Sequence, residues 1–413
     1  MIRQRCILLV SLVLTMTGCQ SALRSRDQEP AAVPLTNLTD RGADGDVVPV
    51  IDLRGGDRVE VQATPPAVAP PTGRKPFNVL VLSGGGAYGA YSAGVLAGWT
   101  EAGTRPKFDV VTGVSTGALV ATLAFLGAEK DADLKRFYTS LSDRDLYVRR
   151  SSLSALWGDA LADSRPLERL IEREVTADLV AAVAAEHAKG RRLYIGTTHL
   201  SSRRLVVWDM GAIASRGGRG DVALFRRILL ASASIPGFLP PVTIPVEVDG
   251  KVTDEMHVDG GVSASLFFRP PTVPRDQLAD LGDRPLAGSN LYIIVAGKLF
   301  ADPAPVQPRF LSIVQTSISG LLYAQTRGDL FQLYALSMAT GMNYRVAAIP
   351  PDAAMPAAAT TFDPAAMSRL YETGRRQAGT AGVWRETPPG NRPGEEVPVR
   401  GGARFSTSPG ERN

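Results

Sequence analysis

The chain has 413 residues, of which 44% are apolar, and a formal net charge of +4 at pH 7. This length and apolar content suffice for one large or two smaller domains with a sizeable core, which excludes a chain that is disordered throughout. The small net charge, with arginines spread along the sequence, gives no basis for a nucleic-acid partner. Both cysteines lie within the first 19 residues, which excludes a disulfide framework or a cysteine metal site further along.

The N-terminus has the features of an export signal. Two arginines precede an apolar run over residues 6–17, which is shorter than the roughly 20 residues of a membrane-spanning helix. The run ends in Met-Thr-Gly-Cys19, which resembles the lipobox of bacterial lipoproteins. The resemblance implies removal of residues 1–18, lipidation of Cys19 and, because Gln20 follows, attachment to the outer membrane facing the periplasm. The alternative is an ordinary signal peptide or a short uncleaved anchor.

Composition predicts the limits of the domains. Residues 19–74 are rich in Pro, Asp, Thr and Gly, which predicts a flexible tether after Cys19. Residues 388–413 are again rich in Pro, Gly, Arg and Glu, and we expect a disordered tail there. Residues 75–387 are expected to form one domain.

Within this domain, short apolar runs alternate with helix-like segments, which predicts an α/β fold with a central, mainly parallel sheet flanked by helices. An apolar stripe from Phe310 to Leu322 has helical spacing and predicts a long amphipathic helix, for which packing against the sheet is favoured over a lipid-binding face. Asp363 followed by Pro364 predicts the start of a late helix. The predicted strands cover residues 77–82, 109–112, 193–197, 205–208, 256–259 and 291–295.

The pentapeptide Gly113-Val114-Ser115-Thr116-Gly117 lies between a predicted strand and a predicted helix. This is the context of a nucleophile elbow, in which glycines relieve crowding at a sharp turn and the helix N-terminus adds partial positive charge. The pentapeptide alone is a weak signal in a chain with 41 glycines. The strand before it and the helix after it make Ser115 a candidate nucleophile.

A glycine-rich loop from Ser83 to Gly89 follows the first predicted strand. Its backbone N–H groups could turn toward an anion and hold an oxyanion. The same residues satisfy the Gly-x-Gly-x-x-Gly pattern of dinucleotide-binding loops, which also needs an acidic residue about 20 residues further on, at the end of the second strand. Asp109 has the distance but stands at the start of its strand, which disfavours this alternative.

Asp259 and two glycines stand at the end of another predicted strand. A free aspartate has a pKa of about 3.9, so burial would have to raise it before it could act as a base. In isolation, Asp-Gly-Gly would indicate a turn aspartate bonded to its own backbone. His257 is two residues earlier, on the same face of the strand, so it could tune Asp259, act as the base, or be structural. His187 and His199 are expected to be surface or structural residues.

The glycine loop, the serine elbow and the late Asp-Gly-Gly, in that order, resemble the patatin-like phospholipase family. The resemblance covers about residues 75–384, and Ala-Ser-Ala-Ser-Ile-Pro at residues 231–236 is similar to the family's segment ahead of the aspartate. It implies a Ser-Asp dyad in which Ser115 is the nucleophile and Asp259 is the base. It also implies an oxyanion hole at Gly84, Gly85 and Gly86.

The resemblance has one departure. Many family members have Arg or Lys where this sequence has Tyr88. A role of that cation in steadying the oxyanion loop or binding a phosphate head group therefore does not carry over. The substrate could be a phospholipid or a neutral ester.

Together these residues predict a serine-dependent lipid acyl hydrolase of the phospholipase A, lysophospholipase or esterase type, a mechanism that needs no metal and no cofactor. The expected partners are a lipid ester substrate and the membrane surface reached through the lipid anchor, with no nucleic acid; the sequence indicates no protein partner. The alternative is a catalytically silent lipoprotein that binds lipid or a partner on the same fold.

Overall fold

The computed structural model describes residues 76–150, 158–248, 251–268, 286–380, 382–392 and 395. The predicted signal peptide, Cys19 and the whole of the predicted tether lie outside these residues, as does most of the predicted tail.

The described residues contain one large mixed sheet with the strand order β10-β9-β1-β2-β5-β8-β7, in which β6 also pairs with β5. The strands from β10 to β5 in this order are parallel, whereas β6, β8 and β7 are antiparallel to their neighbours. A small second sheet pairs β3 with β4. The strands are β1 (Asn78–Leu82), β2 (Val110–Val114), β3 (Val148–Arg149), β4 (Ala162–Asp163), β5 (Arg192–His199), β6 (Arg204–Asp209), β7 (Val242–Val248), β8 (Lys251–Asp259), β9 (Asn290–Val295) and β10 (Asn343–Ala348).

Helices cover the sheet, so the predicted α/β fold is confirmed. The helix predicted after Asp363 begins as expected, since the Asp363 carboxylate accepts a hydrogen bond from the Ala366 N–H at 2.8 Å and Pro364 is the first helical residue. The helices are α1 (Gly89–Glu101), α2 (Thr116–Leu126), α3 (Asp131–Ser140), α4 (Asp143–Leu146), α5 (Arg165–Glu174), α6 (Ala177–Ala188), α7 (Met210–Arg216), α8 (Arg219–Ser232), α9 (Phe310–Thr340) and α10 (Pro364–Ala378).

Both faces of the central strands are buried. Along β1, Leu80 and Leu82 contribute to the apolar cluster that includes α1 and α2, whereas Val79 and Val81 contribute to a second cluster with the end of α9. Strands covered on both faces have continuous apolar runs rather than alternation. This is why residues 77–82 indicate a strand by length and not by periodicity.

The edge of β5 positions the ends of two other strands. Tyr194–Gly196 of β5 pair with both β2 and β6, and Thr197–His199 pair with both β6 and β8. A strand has two edges, so β2 and β8 lie on the same edge of β5, opposite β6. Since β2 is parallel to β5 and β8 is antiparallel, the two strands point at each other and their last residues, Val114 and Asp259, are paired with consecutive residues of β5.

Helix α9 has two unlike halves. Its second half packs on the sheet through Leu330, Leu333 and Tyr334. In its first half the predicted apolar stripe, between Phe310 and Leu322, is exposed to solvent. The helix is thus confirmed, but the preference for packing this stripe against the sheet is wrong, because helical spacing shows that a face is apolar without showing what covers it. None of the described helices has the length and apolar content to cross a membrane.

Candidate active site

Ser115 stands at the sharp turn between β2 and α2. Its backbone angles, φ 58° and ψ −130°, lie in a region that non-glycine residues rarely occupy and cost of order 1–3 kcal/mol. The flanking glycines are required by close backbone contacts. A Cβ on Gly113 would collide with the carbonyl oxygen of Gly117, and a Cβ on Gly117 would lie 2.5 Å from the carbonyl oxygen of Ser83. The strand, strained turn and helix of a nucleophile elbow are all present.

The end of α8 fixes the backbone on both sides of the site. The Ser115 N–H donates to the Ser232 hydroxyl at 2.9 Å, and that hydroxyl donates to the Gly196 carbonyl oxygen at 2.7 Å. Two residues later, the Ser234 carbonyl oxygen accepts the Asp259 N–H at 2.9 Å. The segment at residues 231–236 therefore holds the turns of Ser115 and Asp259 together. The sequence assigned no role to Ser232, since its part depends on where a distant helix ends.

Asp259 is buried and lies beside Ser115. Its side chain accepts the Gly261 N–H at 2.7 Å and lies close enough to the Ser115 hydroxyl to interact with it. Burial raises the pKa of Asp259 to about 6 from its ordinary value of 3.8, and the interactions with Ser115 and Gly261 only partly oppose this increase. Ser115 and Asp259 are only 4% and 6% exposed. A serine hydroxyl thus contacts a carboxylate whose basicity is tuned toward neutral pH.

The glycine-rich loop passes directly beside Ser115. A Cβ on Gly84 would lie 3.0 Å from the Ser115 Cβ and 3.6 Å from its Oγ. Gly85 and Gly86 have φ of 155° and 53°, and a Cβ on Gly85 would collide with the carbonyl oxygen of Ala296. Within the described residues, the N–H groups of Gly84, Gly85 and Gly86 donate to no acceptor. Donors that are free beside a hydroxyl are suited to bind an oxyanion.

His257 is fully buried, but its contacts do not support a role as base. Its Nδ1 lies 3.0 Å from the Thr197 hydroxyl and its Nε2 lies 3.0 Å from Glu255. The Trp208 indole N–H donates to the same Thr197 hydroxyl at 2.7 Å. Burial lowers the pKa of His257, and Glu255 opposes this. Both ring nitrogens thus have neighbours other than Asp259, which favours a structural role.

The other two histidines lie away from Ser115 in the fold. His187 is near the end of α6, where its Nδ1 is 3.7 Å from Asp209. His199 ends β5, and its Nδ1 is 3.0 Å from the Ser202 hydroxyl. Both positions agree with the expected surface or structural roles. In the described part of the chain, no group of three or more His, Cys, Asp or Glu side chains is arranged to hold a metal ion.

The geometry around Asp109 does not suit a dinucleotide. Its carboxylate accepts the Asn78 N–H at 2.8 Å, at the amino end of the strands. The glycine loop follows β1 at the opposite, carboxyl end. Asp109 is therefore remote from the position where a ribose-binding acid is needed.

Comparison with known protein families favours a lipid hydrolase site over a dinucleotide site. Residues 80–271 match the model of the patatin-like phospholipases. This stretch belongs to the patatin-like phospholipase family. The matched patatin-like region includes the glycine loop, Ser115 and Asp259. Comparison with curated proteins gives no match.

Two solved structures are similar to this chain. VipD from Legionella pneumophila has 12% sequence identity and a TM-score of 0.39, with 74% of this chain and 66% of VipD covered. ExoU from the type III secretion system of Pseudomonas aeruginosa, in complex with SpcU, has 20% identity and a TM-score of 0.29, with 74% and 52% covered. The chain spans just under two thirds of VipD and about half of ExoU.

The matched stretch has Tyr88 in a short 3₁₀ turn within the glycine loop. The ring is half-buried, and its pKa is raised by burial and by the neighbouring Tyr323 of α9. The neutral Tyr88 side chain brings no cation to the loop.

Proposed function

We propose that this protein is a lipid acyl hydrolase, a carboxylic ester hydrolase in which Ser115 is the nucleophile and Asp259 the base. The contact between the Ser115 hydroxyl and the buried Asp259 carboxylate carries the proposal. A serine is a weak nucleophile until a neighbouring base accepts its proton. A carboxylate with a pKa of about 6 is ionised at neutral pH and is a far better base than an ordinary aspartate.

The reaction proceeds in two steps. Ser115 Oγ attacks the ester carbonyl carbon while its proton moves to Asp259, and the oxyanion is held by N–H groups of Gly84, Gly85 and Gly86. The tetrahedral intermediate collapses, the bond to the leaving alcohol breaks, and the alcohol takes the proton from Asp259. Water then attacks the acyl-enzyme with Asp259 as base again, which releases the fatty acid and restores Ser115. Positive charge at the N-terminus of α2 further favours the oxyanion.

Hydrolysis of a short-chain chromogenic ester tests this proposal. Chains lacking residues 1–19 are compared as wild type, Ser115→Ala, Asp259→Asn and His257→Gln. We expect the first two substitutions to lower kcat at least about a thousandfold, and His257→Gln to retain most activity. Full activity of Ser115→Ala would refute the proposal. A wild type that hydrolyses no ester and no lipid would favour the catalytically silent lipid-binding alternative.

We also propose that the protein is a lipoprotein of the bacterial cell envelope, lipidated on Cys19 and facing the periplasm from the outer membrane. The lipobox-like Met-Thr-Gly-Cys19 supports this, and stable anchoring by acyl chains takes two or more of them, as lipoproteins carry. Labelled palmitate should be incorporated into the full chain and not into Cys19→Ser. Equal labelling of the two would refute lipidation at this residue.

A further inference from the structure

The first half of α9 presents an apolar face to solvent. Phe310 and Leu321 are 78% and 69% exposed, and Ile313, Ile318 and Leu322 are each about half exposed. Together with Val314, which is 36% exposed, these residues are linked by intervals of three and four along the helix, so they lie on one side of it. Single exposed apolar residues are ordinary on a protein surface, but a continuous helical face of them indicates a binding surface.

This half of the helix also lacks charge. Residues 310–326 contain no Asp, Glu, Lys or Arg, and the nearest charged residues are Arg309 before the stretch and Arg327 after it. A protein partner is usually selected and oriented by complementary charges around an apolar centre. A lipid surface needs no specific pairing of charges, because binding strength grows with the apolar area buried at the level of the acyl chains, to which attraction by anionic lipids only adds.

The helix is fixed to the candidate active site. Asp329 accepts the Ser265 and Leu266 N–H groups at 2.7 and 3.0 Å, and these residues follow Asp259 closely in the chain. On the same helix, Tyr323 neighbours Tyr88 at the end of the glycine loop. Helix α9 is therefore held to the segment that follows Asp259, and Tyr323 lies within electrostatic range of the glycine loop.

We propose that the exposed face of α9, made by Phe310, Ile313, Ile318, Leu321 and Leu322, docks the protein on a phospholipid surface. The inference rests on the proposed function, in which the substrate is a lipid. Lipidation of Cys19 would keep the chain near a membrane but would not set which face of the folded domain meets the lipid. The α9 face would set that orientation.

Vesicle flotation tests the docking, on chains that lack residues 1–19 so that no lipid anchor contributes. The test variant combines Phe310→Gln, Ile318→Gln and Leu321→Gln, since Gln is a good helix former. The matched control places Gln at three other exposed apolar positions, Val148, Leu161 and Val252, which are 55 to 67% exposed. The vesicles contain phosphatidylethanolamine and phosphatidylglycerol, and a soluble chromogenic ester reports on the site itself.

We expect the α9 variant to bind vesicles at least about tenfold more weakly than wild type, with unchanged hydrolysis of the soluble ester. The control variant should match wild type in both assays. Unchanged vesicle binding by the α9 variant, or equal loss by the control, would overturn the docking. Light scattering identifies a further outcome: if the substitutions turn a dimer into a monomer and leave vesicle binding intact, the face joins two copies of the chain and the proposal is wrong.

The two proposals fail in different ways. Wild type that binds vesicles through α9 but hydrolyses no ester or lipid would refute the hydrolase and leave the docking in place. Wild type that hydrolyses the soluble ester but does not bind vesicles would refute the docking and leave the hydrolase in place.

Discussion

Replacing Asp259 with asparagine should stabilise the fold while it abolishes hydrolysis. Burial raises the pKa of Asp259 from 3.8 to about 6, so the folded protein binds this proton more tightly than the unfolded chain. Ionised Asp259 therefore costs stability. The cost is absent below about pH 4, grows as the pH rises toward 6, and is constant above that.

The size of this stability cost follows from the difference of about two between the pKa of Asp259 in the unfolded chain and its pKa in the folded protein. At about 1.4 kcal/mol for each tenfold change in proton affinity, ionised Asp259 lowers the free energy of unfolding by about 3 kcal/mol at pH 8. Asparagine has nearly the same shape and keeps an oxygen that accepts the Gly261 N–H, but it carries no charge. Asp259→Asn should thus be more stable than wild type by up to about 3 kcal/mol at pH 8, and by close to nothing at pH 4.

Urea unfolding of both proteins at a series of pH values measures this difference. Asp329→Asn is the control, because burial also raises the pKa of Asp329 to about 6, yet Asp329 bonds the backbone of Ser265 and Leu266 rather than Ser115. It should show the same direction of pH dependence and keep ester hydrolysis. If Asp259→Asn is less stable than wild type at pH 8, the charge on Asp259 is stabilised by its surroundings and the reasoning is wrong.

Three further predictions concern the same site. The kcat/KM for ester hydrolysis should rise with pH through about 6, because Asp259 must be ionised to accept a proton; a flat profile from about pH 4 to 8 would contradict this. Ser115→Gly should unfold with a free energy at least about 1 kcal/mol higher than Ser115→Ala, since glycine accepts a φ of 58° without strain; equal urea midpoints would show that the turn is unstrained. Gly85→Ala should lower hydrolysis at least about tenfold, because its Cβ would collide with Ala296 and displace the loop. Gly103→Ala, at φ 69° with no neighbour within 4 Å, is its matched control and should keep the wild-type rate.

Most of the fold could be predicted because its signals are local. The strand predicted at residues 77–82 is β1 (Asn78–Leu82), and the Asp-Pro pair at residues 363 and 364 begins α10. The spacing of Gly113 and Gly117 predicts the sharp turn at Ser115 without any knowledge of tertiary contacts. Each of these features depends on residues within one element and its caps.

The assembly of the site could not be predicted, because it depends on pairing between distant segments. The sequence indicated a strand ending at Asp259 but not that this strand would pair antiparallel with β5 and meet the end of β2. The role of Ser232 has the same origin, since its hydroxyl reaches Ser115 only when α8 ends where it does. Tertiary pairing of this kind leaves no periodic pattern in the chain.

In the first half of α9, the local structure could be predicted but the surroundings of the helix could not. Periodicity correctly predicted the helix, and the apolar residues of a helix usually face the core. Their exposure depends on how far the helix extends beyond the sheet, since the packed contacts of α9 begin near Leu330. The apolar pattern was therefore a sound guide to local structure and a poor guide to what the face contacts.

Two features of the site are unfavourable for folding, and this bears on the choice between a hydrolase and a silent lipid-binding protein. Ser115 occupies a strained backbone conformation, and Asp259 is ionisable yet almost fully buried. A protein that only bound lipid would gain nothing from either feature, because an apolar wall would bind acyl chains without strain or buried charge. A nucleophile held on a sharp turn and a base tuned toward neutral pH need both features, and such costs are typical of catalytic sites. Stabilisation by Asp259→Asn together with loss of hydrolysis would therefore identify the buried carboxylate as a catalytic group, whereas stabilisation in a protein without hydrolysis would leave its burial without a function.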